Sequence, residues 1–221
     1  MLRFFEKYKF LAIVLMVLSI IIISLIYQIL KPTAVLPVFQ PAQVNAEMVD
    51  STLQHVKKYH TVGDFSLLNQ NGKEITSKDY EGKIYVADFF FTTCQTICPI
   101  MTDHMLQIQE AFKNDTAVLL LSHTVTPEID SVAQLKKYAL EKGVDDKKWN
   151  LVTGDKKEIY DLARKSYLAA KDNPFSENDL IHTENFVLVD AKKRIRGFYD
   201  GTSPEDITKL LEDIQMLKAE H

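Results

Sequence analysis

The hydrophobic pattern divides the chain in two. From Phe10 to Tyr27 every position is apolar or aromatic except Ser19 and Ser24, and extension to Leu30 gives about the 20 residues that cross a hydrocarbon core at 1.5 Å each. The run has neither the polar face nor the caps of a buried core helix, so it predicts a transmembrane helix. A cleaved signal peptide is the rival reading, because "VNA" at Val44 to Ala46 places small residues as a cleavage site does. The apolar run is too long for that and the site too far downstream. Beyond it, "PTAVLPVFQPAQVNAE" shows no periodicity and three prolines, which reads as an extended tether.

Past residue 59 short periodic segments alternate. Asn71-Gly72 between two strand-like runs predicts a β-hairpin. "KIYVADFFF", Lys83 to Phe91, is almost continuously apolar, as a strand covered on both faces would be. Met101, Met105, Ile108 and Phe112 then form one helical stripe. "TAVLLLSH" is a second buried strand, and Thr126-Pro127-Glu128 predicts a helix running to about Lys142, ahead of Gly143. "WNLVTGD" reads as strand and turn, 156–167 as a helix, "NFVLVD" and "RIRGFYD" as a terminal hairpin, and Ser203 to Asp206 as the cap of a last helix. The predicted class is α/β: a thioredoxin-like mixed sheet flanked by helices, with an N-terminal β-hairpin and a single transmembrane helix. The expected organisation is a cytoplasmic N-terminus over 1–9, the span over 10–30, the tether over 31–58 and a folded domain over 59–221.

Charge adds a direction. The formal net charge is −4, but the first 31 residues carry +3, leaving −7 for the rest. That remainder excludes a basic nucleic-acid surface. Arg3, Lys7 and Lys9 precede the apolar run while only Lys31 follows it closely, so the positive-inside rule places the N-terminus in the cytoplasm and exports the domain. With no organellar targeting peptide ahead of the span, a bacterial inner membrane is the expected location, and the mitochondrial intermembrane space is the lesser alternative.

The chemistry-bearing residues are the only two cysteines, in Cys94-Gln95-Thr96-Ile97-Cys98-Pro99. The first ends the buried strand. The second opens a helix, where proline suits the first position because its missing N–H would have no partner. A helix N-terminus favours thiolate, and the i, i+4 spacing brings both sulfurs to one side of a turn, suited to a disulfide or to one soft ion. A purely structural bridge closing so small a loop would remove little chain entropy. Redox chemistry and metal binding both stay open, and a third ligand would separate them. Of the six histidines, His55, His60 and His221 read as solvated and His104 as packed beside the helix stripe. His123 ends the second central strand and is a second-shell candidate, and His182 sits in a polar segment just before a strand.

"FFFTTCQTICPIM", "LSHTVTPEID", "VTGD" and "LIHTENFVLVD", in this order, resemble the Sco family, also called SenC, of membrane-anchored thioredoxin-like copper proteins. The similarity runs from about Thr61 to Leu211. It implies a copper site, Cu(I) or Cu(II), formed by Cys94, Cys98 and His182, and a role in assembling the copper centre of cytochrome c oxidase. General thioredoxins instead carry Cys-x-x-Cys and a proline before the penultimate strand, whereas Leu180 to Asn185 has His182 and no proline. One position departs from the family: it often reads Ser-Val-Asp-Pro where this chain has "HTVTP", with Thr126 in place of the acid and His123 close by.

The expected function is thus an extracytoplasmic copper metallochaperone, with the copper-accepting oxidase subunit as partner and a separate copper donor or thioredoxin-like reductant alongside it. The alternative is a thiol-disulfide oxidoreductase keeping the acceptor's cysteines reduced, with Cys94 attacking and Cys98 resolving. A tethered peroxidase or redox sensor is a third reading, and zinc is disfavoured because a closed site wants four ligands. Met101 and Met105 read as core rather than as thioether ligands.

Overall fold

A computed structural model describes residues 2–30, 35–172, 180–182 and 184–220. The chain separates into two compact units, Met1–Ala34 and Val35–His221. The first holds α1, Leu2–Leu30, in which Tyr8–Tyr27 is long and apolar enough to cross a membrane, with a mean hydropathy of 3.0 and no burial.

The second unit is built on seven strands in the order β2-β1-β5-β4-β3-β8-β9. These are β1 (Ser66–Asn69), β2 (Glu74–Thr76), β3 (Ile84–Phe90), β4 (Val118–Thr124), β5 (Trp149–Thr153), β8 (Asn185–Val189) and β9 (Ile195–Asp200), with a separate pair, β6 (Ala170–Asp172) and β7 (Leu180–His182). β3 pairs parallel with β4, and β4 with β5; β1–β2 and β8–β9 are antiparallel hairpins. Gly72 takes φ +70° in the first hairpin turn, where an L side chain would be strained. Helices α2 (Cys98–Ala111), α3 (Val132–Lys142), α4 (Lys156–Asp161, continued by a π turn over Leu162–Ser166) and α5 (Pro204–Ala219) complete the unit.

Strand β3 is buried along its whole length, so its two side-chain faces feed two cores. Ile84, Val86 and Phe90 pack with Met101, Met105 and Ile108 of α2, Leu135 of α3 and Ile214 of α5. Tyr85, Ala87 and Phe89 face a second core with Val49, Val62, Leu162 and Tyr167. The predicted methionine stripe is thus core, with Met101 and Met105 both fully buried.

Two expectations are corrected. The stretch 35–58 is no free tether, since it belongs to the second compact unit. The buried Arg196 guanidinium donates from Nη2 to the Leu36 carbonyl at 2.7 Å and from Nε to that of Pro37 at 3.0 Å, while Asp190 and Glu220 neutralise it. Phe39 stands edge-on to Phe198, with 5.4 Å between ring centroids. Sequence shows only an aperiodic, proline-spaced run here, because the partners lie some 160 residues away. Helix α3, second, begins at Val132 and not near Thr126. Ser131 caps it, and Thr126 to Asp130 form a turn in which Ile129 and Asp130 donate to the Thr126 carbonyl. Asp130 gathers threonine hydroxyls in that turn, competing with helix formation as side-chain bonds to short polar residues do.

Candidate functional site

Beyond Phe90 the chain leaves the parallel core and turns at once: the Cys94 N–H donates to the Phe91 carbonyl at 3.2 Å. Four residues later α2 starts with Cys98 and Pro99. Among the described residues no side-chain oxygen caps that helix. Instead the Cys98 N–H donates to Cys94 Sγ at 3.4 Å, and the Thr96 hydroxyl lies 3.5 Å from the same sulfur. The sulfur therefore occupies the place of a capping group, where the helix dipole and a free amide favour negative charge.

The two thiols are consequently unequal. Burial raises the Cys94 pKa, but this is outweighed by hydrogen bonds from the Cys98 and Thr96 side chains and main chains, which bring it down to about 7. Burial pushes Cys98 up to about 12, with smaller contributions from the neighbouring Cys94 and the Asp88 charge. Cys94 is half-buried and Cys98 buried, and both are free thiols.

Asp88 is also buried, on the same face of β3 as Val86 and Phe90. The Ser122 hydroxyl donates to it, and Trp149 Nε1 donates to that hydroxyl at 2.8 Å. Burial raises its pKa to about 7. No sequence pattern singles this acid out, because one aspartate in an apolar strand has no spacing to match. Its one signal is its presence in a run otherwise wholly apolar, where an unpaired charge would be costly.

His182 lies on β7, paired with Ala170 of β6; its side chain is outside the described part of the structure. His221 is likewise outside the described residues. His123 pairs with Phe89 across β3 and β4, on the face turned away from α2. It is fully buried, stacked on Phe89 at 4.9 Å and beside Tyr167 at 5.2 Å and Phe65 at 6.0 Å. Neither ring nitrogen completes a hydrogen bond among the described residues, and burial takes its pKa down to about 3, which the Asp88 main chain only partly offsets. His104 packs at the α2 edge, with Nδ1 2.7 Å from the Gly201 carbonyl oxygen. His55 is exposed, whereas His60 is held with Nε2 2.8 Å from the Ser166 carbonyl oxygen. Among the described residues no cluster of three or more His, Cys, Asp or Glu side chains is set for a metal ion. The two thiols are soft donors, and as thiolates they suit Cu(I).

A pair of free thiols beyond the carboxyl end of a central parallel strand, one half-buried and one buried at the head of a helix, defines a protein of thioredoxin-like fold. Comparison with known proteins makes this specific. A family model described as SCO1/SenC matches residues 54–219, and the chain belongs to that family. The SCO1 protein homolog of Bacillus subtilis (strain 168) is 34% identical over 158 residues, covering 71% of this chain and 82% of that protein. Among solved structures, BsSco, described as a member of the Sco family of cytochrome c oxidase assembly proteins with a disulfide switch, gives a TM-score of 0.64 at 32% identity, over 73% of this chain and 95% of that one. Arabidopsis thaliana ScoI with copper bound gives 0.57 at 26% identity, over 70% and 98%.

Proposed function

We propose that this chain is an extracytoplasmic, membrane-anchored copper metallochaperone that serves assembly of a respiratory cytochrome c oxidase. The observation that carries the reading is the unequal thiol pair at the start of α2, in a chain with no other cysteine to compete. Copper is the cargo. Cys94 and Cys98 supply two sulfur donors, and His182, carried on β7, is proposed as the third. The copper-bound Arabidopsis relative and the oxidase-assembly description of BsSco support both the ion and the acceptor. Release follows by ligand exchange, in which soft donors of the acceptor replace the three protein ligands one at a time. The N-terminal helix anchors the chain, with the basic N-terminus in the cytoplasm and the domain on the outer side of a bacterial inner membrane.

The same asymmetry favours a second reading, thiol-disulfide exchange. With a pKa of about 7, Cys94 attacks an acceptor disulfide as thiolate and releases one acceptor thiolate. Cys98 then loses its proton and attacks Cys94 Sγ, releasing the second acceptor thiol. The acceptor gains two electrons and Cys94–Cys98 becomes the disulfide, to be reduced again by a separate thioredoxin-like dithiol.

Anaerobic Cu(I) titration of the soluble unit, taken from Val35 because Arg196 holds Leu36 and Pro37, tests the choice. The wild type is expected to bind one ion tightly and His182→Ala to lose that affinity while retaining dithiol redox chemistry. Unchanged weak binding in both proteins rejects the chaperone in favour of the reductase.

A further inference from the structure

The turn that presents Cys94 is fastened by a group outside the thiol pair. Asp130, in the turn between β4 and α3, is completely buried, and no cation pairs with it among the described residues. Its carboxylate is satisfied by neutral donors alone. Thr92 donates twice, from its N–H to Oδ2 at 3.1 Å and from Oγ1 to Oδ1 at 2.5 Å. Thr124 Oγ1 donates to Oδ2 at 2.5 Å and Thr126 Oγ1 to the same oxygen at 3.1 Å. The Thr124 hydroxyl in turn accepts the Thr126 N–H at 3.1 Å, so the donors are themselves oriented.

Thr92 is the residue that matters for the site. Besides its two bonds to Asp130, its hydroxyl accepts from Gln134 Nε2 of α3 at 3.1 Å. It is also the second residue of the turn that Cys94 closes onto Phe91. Fixing Thr92 therefore fixes the turn, and the turn fixes where the Cys94 sulfur meets the Cys98 amide. Four donors converge on this buried carboxylate, three on Oδ2 and one on Oδ1, so its position and that of Thr92 are fixed together and the clamp is stiff.

We propose that Asp130 is a positioning residue for Cys94, acting through Thr92 to keep the sulfur on the helix N-terminus. The inference rests on Cys94 being the reactive thiol of the proposed site. At position 126, where the chain departs from the family pattern, Thr126 contributes a neutral hydroxyl donor to the cradle.

The test uses the full chain in detergent micelles and compares Asp130→Asn, Thr92→Val and Thr92→Ser with wild type. Asp79→Ala, which breaks the capping box at Thr76 away from the site, serves as the control for lost stability. Two quantities are read: the alkylation rate of Cys94 by iodoacetamide at pH 7, and the dithiol–disulfide equilibrium constant against glutathione. Asp130→Asn and Thr92→Val are expected to slow alkylation about fivefold and shift the equilibrium about fivefold toward disulfide, because the thiolate loses its amide contact. Thr92→Ser, which keeps the hydroxyl, is expected to restore both values, and Asp79→Ala to leave both unchanged. A folded Thr92→Val with wild-type values overturns the proposal, as does an Asp79→Ala that moves them equally. If Asp130→Asn does not fold, the Thr92 pair decides alone. Neither readout involves copper, so failure of the copper titration and failure of the clamp are separate results.

Discussion

Asp88 and His123 sit one residue apart in the register of β3 and β4, since Asp88 lies opposite Ser122 and Phe89 opposite His123, yet they point to opposite faces of the sheet. Each is an ionisable group buried where charge is disfavoured, and burial moves each toward its neutral form: the acid up to about 7, the imidazole down to about 3. The faces differ in what surrounds them. Asp88 looks toward α2, is bonded to Ser122, and its charge is felt at Cys98. His123 looks into a layer of Phe65, Phe89 and Tyr167 and has no hydrogen-bond partner among the described residues. The helix face carries the two cysteines as well as core packing, while the aromatic face carries packing. Ending a strand beside the thiols is therefore not enough to place an imidazole among them.

The largest test of that division is Phe89→Ala. Loss of a buried phenylalanine is expected to cost about 3–5 kcal/mol, read by urea unfolding of the full chain in micelles with the single, buried Trp149 as fluorophore. Cys94 alkylation should stay at the wild-type rate; a clear slowing would show that the two faces are coupled.

A smaller effect of opposite sign is expected for His123→Phe. It removes a buried imidazole with no hydrogen-bond partner among the described residues and completes the ring layer, so a gain of about 1–3 kcal/mol at pH 7 is expected. The gain should widen in acid. The folded chain keeps His123 neutral to about pH 3, whereas the unfolded chain protonates it near 6.5. Between those values the unfolded state holds the extra proton, so this contribution to stability is complete above pH 6.5 and is lost as the pH falls toward 3. A variant whose advantage is constant from pH 7 to 4 would contradict the buried neutral ring.

At pH 4 Asp88→Asn should have the smallest effect of the three, and its pH dependence runs on the other side of the scale. The folded chain holds the Asp88 proton to about pH 7, while the unfolded chain loses it near 3.8. The stability tied to the protonated acid is thus present below pH 3.8 and is lost as the pH rises through 7. The asparagine variant should lie within about 1 kcal/mol of wild type at pH 4 and gain on it as the pH rises to 7. Urea midpoints across that range measure the slope, and a flat difference would mean that Asp88 is ionised throughout.

Much of the site is legible in the amino-acid sequence. Two cysteines at a strand-to-helix junction, followed by proline, are local signals, and so are the Asn71-Gly72 turn and the methionine stripe. The same short stretches carry the resemblance to the family to which the chain belongs. Asp130 is not legible in this way. In the sequence it is one acid of "TPEIDS", after an expected helix start, and its partner Thr92 is 38 residues away. The order of the two thiols in pKa is half legible: a helix N-terminus predicts one lowered thiol, but which one depends on where the Phe91–Cys94 turn puts the sulfur.

By itself, then, the amino-acid order determined the long apolar N-terminal helix, most of the strands and helices and the place of the two cysteines, because each follows from side-chain periodicity or capping within a few residues. Tertiary structure alone decided that 35–58 packs onto the domain, that His123 faces away from the cysteine helix, and that one buried carboxylate grips the Cys94 turn. Those outcomes depend on strand register and on hydrogen bonds between segments tens of residues apart. No local pattern encodes such a partner until the chain has closed around it.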